Sequence, residues 1–141
     1  MVGALQELVV AGARLRVRGG DGTPDDPFLL ELDGEFDLDT VPEIDGFLRR
    51  SCGPLYQRHH LVIDLGDTAF VDSSFISLLV RLLRDLRACR RELILARPRG
   101  QVRRTLATVG LPNIVPVFDS VEAALAALGA GHVIPPAFAA S

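Results

Sequence analysis

The sequence is short of the residues that build cross-linked or metal-stabilised folds. Its 141 residues include two cysteines, three histidines and no tryptophan, and all 15 basic residues are arginine. Cys52 and Cys89 lack the CxxC spacing of zinc sites, and the sequence offers them only His59, His60 and His132 as further ligands. These counts exclude a disulfide framework and a metal centre, and we expect no bound cofactor.

An excess of positive charge is missing as well. The formal net charge is −3, so there is no overall positive field to attract nucleic acid or an anionic membrane. Residues 1–7 lack the basic start and long apolar core of a signal peptide. Residues 123–141 contain no Asp, Glu, Lys or Arg, but glycines and prolines interrupt them, which argues against a membrane span. We therefore expect a cytoplasmic protein with no direct nucleic-acid partner and no membrane insertion.

What the sequence does contain is enough apolar material for a core, at 48% of its residues. Period-two patterns and short apolar runs predict strands, and apolar spacings of three and four predict helices. The predicted strands are 13–18, 28–33, 61–65, 93–96 and 114–118, and the predicted helices are 41–50, 73–89, 98–109 and 120–128. This order predicts a single α/β domain with a mostly parallel central sheet of about five strands, about four helices and an N-terminal β-hairpin.

Local signals refine these boundaries. Thr40 is the predicted N-cap of the first helix, and Gly110 suits a left-handed end for the third. Pro116 places the last predicted strand at an edge of the sheet. Residues 19–27 form a turn-rich connection in the hairpin, which is either a mobile tip or a loop that shapes partner choice.

The most informative polar cluster is Asp72-Ser73-Ser74, between a predicted buried strand and the longest predicted helix. In open α/β sheets this type of strand-to-helix connection often carries ligands. A helix N-terminus offers free N–H groups and a positive dipole end, which would accommodate a phosphate on Ser73 or Ser74. Asp and Ser are also common N-caps, so a purely structural role stays open at this point.

Four segments resemble a known family. The run Val62–Leu65 followed by Phe70–Ser74 resembles the signature of the STAS domain, best known from bacterial anti-sigma-factor antagonists. Gly34-Glu-Phe-Asp37 is similar to the Gly-Glu-Leu/Ile-Asp turn of that family. Residues 98–111 and 119–125 are similar to its third and closing helices. The matches occur in the right order and indicate a STAS-like domain over residues 8–128, with 1–7 and 129–141 as terminal extensions.

The resemblance implies a phosphorylation-controlled binding protein rather than an enzyme. In partner switching, the unphosphorylated antagonist binds an anti-sigma factor that is also a serine kinase, and a sigma factor is released. Phosphorylation of the serine after the motif aspartate breaks that complex. The resemblance assigns this serine to Ser73 and implies a monomer or weak dimer. It also implies a set of residues that adjoin the phosphorylation site or bind the partner, namely Asp37, Asp72, Ser74, Phe75 and Ser77.

One departure from the family pattern bears on this assignment. Phe75 stands where the family usually has glycine after Ser-Ser, and Ile76 follows in place of leucine. Either the Phe75 ring turns into the core, or it is exposed and forms a different partner anchor. In the second case a typical kinase would not fit, and Ser73 would stay unmodified. The alternative function is therefore a non-phosphorylated STAS scaffold subunit of a signalling or transport complex.

Catalytic alternatives have less support. A serine hydrolase needs a base beside Ser73, but His59 and His60 precede the Leu61 strand, at its opposite end from Ser73. The sequence has neither G-x-x-x-x-G-K-[ST] nor G-x-G-x-x-G, so a nucleotide-binding enzyme would lack its phosphate loop.

Two further groups of residues keep open interpretations. A basic cluster lies along and after the longest helix, and it is either a solvated face or a surface for an acidic partner. Its members are Arg81, Arg84, Arg87, Arg90 and Arg91.

If the first two helices lie parallel and side by side, Cys52 and Cys89 fall near the same end. They then form either a redox disulfide or, as expected in the cytosol, two independent thiols.

Overall fold

The computed structural model describes residues 5–20 and 26–129, and within these ranges seven strands form the sheet. The strands are β1 (Gln6–Val10), β2 (Ala13–Gly19), β3 (Phe28–Phe36), β4 (Leu61–Asp64), β5 (Thr68–Val71), β6 (Leu93–Ala96) and β7 (Val117–Phe118). The α-helices of the same ranges are α1 (Val41–Cys52), α2 (Ser73–Ala88), α3 (Gly100–Thr108) and α4 (Val121–Gly129). Short 3₁₀ helices lie at Tyr56–Arg58 and Leu111–Asn113.

The sheet is mixed. Its strand order is β1-β2-β3-β4-β6-β7, in which the first two pairs are antiparallel and the others parallel. β5 lies outside this order and pairs in parallel with the end of β3, from Gly34 to Phe36. The structure confirms the α/β class and the β2–β3 hairpin. It corrects the sheet, which has seven strands in the described ranges rather than about five and is less uniformly parallel than expected.

The two additional strands carry little sequence signal. β1 is an edge strand in which three of five residues are exposed, so its apolar pattern is incomplete. β5 has four residues, of which only Thr68 and Val71 are buried. Period-two alternation is informative over about four to eight residues, and strands this short or this exposed fall at its limit.

The last strand is shorter than predicted. Residues 114–118 were expected to be extended, but only Val117–Phe118 pair with β6. The 3₁₀ helix at Leu111–Asn113 occupies the preceding chain, and Pro116 has no N–H to donate to a ladder. β7 does lie at an edge of the sheet, as Pro116 indicated.

Helices cover both faces of the central strands. The larger core cluster joins alternate strand residues such as Leu61 and Ile63 to apolar residues of α1, α2 and α3. The intervening Val62 belongs to a second cluster under α4 with Ala124. Successive strand side chains point to opposite faces, so β4 must be apolar on both faces, and it is buried throughout. α2 begins directly after β5, which runs parallel to β3, so its start lies at the carboxyl end of the parallel strands.

Thr40 occupies the N-cap position of α1, as predicted, but its side chain does not cap the helix. The Thr40 hydroxyl instead donates to the Glu35 carbonyl at 3.0 Å and accepts from the Asp37 N–H at 2.9 Å. The Asp37 carbonyl accepts from the Val41 N–H at 2.9 Å instead. Since the Thr40 side chain points back to the preceding turn, it stabilises the entry to α1 rather than its first N–H groups. Gly110 is left-handed, with φ of 73°, as predicted.

In the described ranges, no helix combines the length and hydrophobicity needed to cross a bilayer. The predicted hairpin tip at residues 19–27 falls partly outside these ranges, because residues 21–25 are not among them. Its interpretation as a tip or as a partner-selecting loop therefore stays a prediction.

Candidate functional site

The start of α2 is organised by Asp72. β5 ends at Val71, and the Asp72 carboxylate accepts hydrogen bonds from the Ser74 N–H at 2.9 Å and the Phe75 N–H at 3.3 Å. The Ser74 hydroxyl donates to the same Oδ1 atom. Asp72 thereby satisfies two of the N–H groups that a helix start leaves unpaired. The predicted N-cap role of Asp72 is confirmed.

Asp72 is also a fixed negative charge. Burial alone would raise its pKa, but hydrogen bonds from the Ser74 side chain and from the N–H groups of Phe75, Ser74 and Leu38 lower the pKa below its ordinary value. The Leu38 N–H belongs to the turn before α1. The carboxylate therefore joins the start of α2 to the end of β3, two segments that lie far apart in the sequence.

The turn that Asp72 contacts is itself acidic. The Asp37 Oδ1 atom accepts from the Asp39 N–H at 3.0 Å and from the Thr40 N–H at 3.3 Å, which fixes a tight side-chain-to-backbone turn. Leu38 lies between Asp37 and Asp39 in the sequence, and its side chain is 74% exposed. The structure thus brings an acidic turn with one exposed apolar side chain to the start of α2.

The two neighbouring serines have different environments. Ser74 is half-buried and its hydroxyl is held by Asp72, whereas Ser73 is exposed. Ser77 is also exposed, one helical turn further along α2. An open groove runs beside it between α1 and α2, with Arg81 and Asp45 3.7 Å apart at its far end. The groove is lined by Val41, Pro42, Asp45, Ser74, Ser77, Leu78 and Arg81.

Phe75 is part of the core. Its side chain is fully buried, and its ring centroid lies 6.4 Å from that of Phe36. It shares the buried face of α2 with Leu78, Leu79 and Leu82, at the spacing of an amphipathic helix. The interpretation of Phe75 as an exposed partner anchor is therefore wrong: the ring fastens the first turn of α2 to the core and leaves the surface to Ser73 and Ser77.

Sequence reasoning missed one polar contact at this site. The Gln101 side chain in α3 hydrogen-bonds both the N–H and the carbonyl of Val71, the residue before Asp72. A lone glutamine near the start of a helix carries no signal for such a contact, since 30 residues separate it from Val71.

The histidines belong to a different part of the molecule. His59 Nδ1 lies 3.0 Å from the Asp26 carbonyl, and His60 Nδ1 accepts from the Glu92 N–H at 2.9 Å. Both precede β4, whereas Ser73 follows the carboxyl end of the parallel strand β5. These imidazoles therefore hold loops at the amino ends of the strands, away from Ser73.

The cysteines are free thiols. Burial raises the pKa of Cys52 to about 12, and Cys89 is exposed. The disulfide left open by the sequence is therefore not present. Within the described ranges, no cluster of three or more His, Cys, Asp or Glu side chains is arranged to hold a metal ion.

The basic cluster along and after α2 is interleaved with hydrogen-bond acceptors. Arg87 pairs with Glu92 at 3.3 Å, and Arg91 donates to the Arg58 carbonyl at 2.9 Å. Arg84 lies 3.9 Å from Asp85. These contacts tie the end of α2 to neighbouring loops. Whether the cluster also meets an acidic partner stays a prediction.

A family model for the STAS domain matches residues 16–124, more than half of the chain. The chain belongs to the STAS domain family. Solved structures share its fold. An anti-sigma factor antagonist from Mycobacterium paratuberculosis is 22% identical with a TM-score of 0.67, covering 86% of this chain and 99% of that one. The phosphorylated form of SpoIIAA, a Bacillus cell fate determinant, is 22% identical with a TM-score of 0.56, covering 87% and 97%.

The same STAS fold also occurs within a larger protein. The murine anion transporter Slc26a9 matches with 17% identity and a TM-score of 0.64, covering 74% of this chain and 18% of that chain. At these identities the structural matches show the fold alone, which is consistent with the element order described above.

Proposed function

We propose that this STAS protein is an anti-sigma-factor antagonist of bacterial partner switching, with Ser73 as its phosphorylation site. One observation carries the proposal: Ser73 is exposed at the first position of α2, directly after the ionised Asp72 that is tied to the acidic Asp37 turn. In this proposal the unphosphorylated chain binds an anti-sigma factor that is also a serine kinase. It acts in the cytoplasm as a binding protein and not as an enzyme, without direct contact to nucleic acid.

The environment of the two serines favours Ser73 as the acceptor. The Ser74 hydroxyl donates to Asp72, and transfer of a phosphate to it would require breaking that hydrogen bond. Ser73 is exposed, and no group within the described residues forms a hydrogen bond with its hydroxyl. SpoIIAA, which shares the fold, has been solved in an unphosphorylated and a phosphorylated form. This supports a phosphoacceptor at the family position.

Phosphorylation would act through local electrostatics. A phosphate adds about −1.5 to −2 charges at neutral pH. Asp72 already occupies the Ser74 and Phe75 N–H groups, so these donors are not free to neutralise the phosphate on Ser73. The added charge would therefore accumulate beside Asp72 and the acidic turn. A partner surface that is acidic or apolar would lose affinity through repulsion and desolvation.

A second candidate is a STAS scaffold subunit that is not phosphorylated. One observation favours it: the transporter Slc26a9 carries the same fold as a minor part of its chain. In this role the exposed face of α2 would hold a partner permanently.

The test is a pull-down from host lysate with four baits: the wild type, Ser73→Ala, Ser73→Asp and Ser77→Asp. Partner switching predicts that the wild type and Ser73→Ala capture a kinase-type anti-sigma factor and that Ser73→Asp loses it. Ser77→Asp adds the same charge one turn away on an exposed serine of the same surface, so it shows whether the loss of binding is specific to position 73. Mass spectrometry should find phosphate on Ser73. A partner held equally by all four baits, with Ser73 unmodified, would instead support the scaffold.

A further inference from the structure

The strand that leads into Ser73 is bordered on one edge by a side chain instead of another strand. Along its first edge β5 pairs with β3, with Val71 opposite Phe36. On the other edge, the Gln101 Nε2 donates to the Val71 carbonyl at 3.0 Å, and the Gln101 Oε1 accepts from the Val71 N–H at 3.1 Å. One primary amide thereby supplies the donor and the acceptor that a neighbouring strand would offer.

The orientation of this amide is itself fixed. Gln101 Nε2 also donates to the Thr105 hydroxyl, one turn further along α3, at 2.9 Å. Rotating the amide by half a turn would place Oε1 against the Val71 carbonyl and Nε2 against the Val71 N–H, so both hydrogen bonds to Val71 would be lost. α3 cannot easily shift to follow such a change, because Val102 and Leu106 anchor it in the core.

The beginning of the same segment is held from the same helix. The Arg99 guanidinium, at the N-cap of α3, donates to the Gly66 carbonyl in the turn between β4 and β5. Residues 66–71 are therefore attached to the start of α3 at both ends. The Val71 attachment lies two residues before Ser73, so it determines the direction in which the chain enters the Asp72 cap.

We propose that Gln101 is a positioning residue for Ser73: its amide fixes the Val71 backbone and so presents the Asp72–Ser73 corner to the kinase in one conformation. This inference rests on the proposed function. Gln101 acts through the backbone and does not need to touch the phosphoryl group. A segment already fixed in its bound conformation avoids an ordering cost when it binds, so the loss of Gln101 weakens phosphorylation without removing the acceptor.

The test compares Gln101→Leu with Gln57→Leu in the full chain. Gln57 lies in the 3₁₀ helix at Tyr56–Arg58, so it controls for the loss of an amide elsewhere. Three quantities are measured: amide hydrogen exchange at Val71 by NMR, kcat/KM for phosphorylation of Ser73 by the kinase captured above, and unfolding in urea. We expect Val71 exchange to rise and kcat/KM to fall by at least about fivefold in Gln101→Leu. Gln57→Leu should change neither.

A second variant separates positioning from general stability. Gln101→Glu keeps the acceptor for the Val71 N–H but loses the donor to its carbonyl, and its effect on kcat/KM should lie between those of the wild type and Gln101→Leu. A fall in kcat/KM that exceeds the unfolded fraction of the variant supports the proposal. Unchanged exchange at Val71, or unchanged kcat/KM despite faster exchange, would overturn it. If wild-type Ser73 is never phosphorylated, the proposed function fails and this inference fails with it.

Discussion

At the residue scale, Asp72 combines a structural and an electrostatic role. Its carboxylate caps α2 through the Ser74 and Phe75 N–H groups and also accepts from the Leu38 N–H. These hydrogen bonds favour the charged form, and the charged form is the stronger acceptor. The cap therefore holds a negative charge beside the unmodified Ser73. A neutral residue at position 72 would repel a phosphate on Ser73 less strongly than the Asp72 carboxylate does.

The two roles of Asp72 are separable by substitution. Asp72→Ala should lower the free energy of unfolding by about 1 kcal/mol, since it removes the cap, whereas Asp72→Asn keeps an acceptor and should cost less. Urea unfolding at pH 7 measures both. Equal losses in the two variants would mean that the charge, and not the cap, supplies the stability.

The charge of Asp72 also predicts a pH dependence. Its pKa is lowered in the folded chain, so the unfolded chain takes up the proton first as the pH falls. Its contribution is complete above the ordinary aspartate pKa of about 4 and is lost as the pH falls through the lower folded value. The stability advantage of the wild type over Asp72→Asn should therefore shrink between pH 5 and pH 2, as urea unfolding at each of these pH values would show. An advantage that grows in acid would contradict this assignment.

At the element scale, the position of α2 depends on where its first turn is anchored. Phe75 fills the space beside Phe36 and is fully buried, while Ser73 and Ser77 lie on the exposed side of the same helix. The large ring in place of the family glycine therefore changes the packing beneath the site rather than its surface. This removes the steric objection to a kinase that an exposed Phe75 would have raised.

A pair of phenylalanines tests this packing. Phe75→Ala should lower the free energy of unfolding by about 3–5 kcal/mol, as expected for a fully buried aromatic side chain. Phe70→Ala serves as the control: Phe70 lies in β5 and is 38% exposed, so its loss should cost less than about 1 kcal/mol. Urea unfolding of the two variants gives the comparison. Similar costs at both positions would show that α2 does not depend on the Phe75 ring.

At the scale of the whole molecule, the carboxyl ends of the parallel strands are joined by one ion pair. Asp64 at the end of β4 accepts from the Arg97 Nε and from an Arg97 terminal nitrogen, both at 2.9 Å. Arg97 directly follows β6 and has a left-handed φ of 58°. Asp64 is buried, and its carboxylate also accepts from the Gly66 N–H at 2.9 Å. The pair therefore connects β4, β6 and the turn that leads into β5.

Breaking this pair should destabilise the whole domain. Arg97→Ala leaves the buried Asp64 without its cation and should lower the free energy of unfolding by about 2–3 kcal/mol. This loss is smaller than for a fully buried ion pair because Arg97 is partly exposed. Arg103→Ala removes a more exposed pair with Asp119 and should change stability by less than about 0.5 kcal/mol. Thermal or urea unfolding distinguishes the two. A cost for Arg97→Ala no larger than the control would mean that solvent already screens the Asp64 charge.

The sequence by itself determined the order of the main elements, the amphipathic face of α2 and the cap at Asp72. These features depend on side-chain period and on hydrogen bonds that span only a few residues. The sequence did not predict β1 and β5, because too few of their residues alternate. It also did not predict that the Thr40 side chain turns back to Glu35 instead of capping α1.

Only the tertiary structure decided how the site is assembled. It placed Phe75 in the core, brought Leu38 against Asp72 and set Gln101 of α3 against Val71. Each of these contacts joins segments that are distant in the sequence, or depends on which side of a helix faces the sheet. Local propensity does not carry that information, because it arises only when whole elements pack against one another.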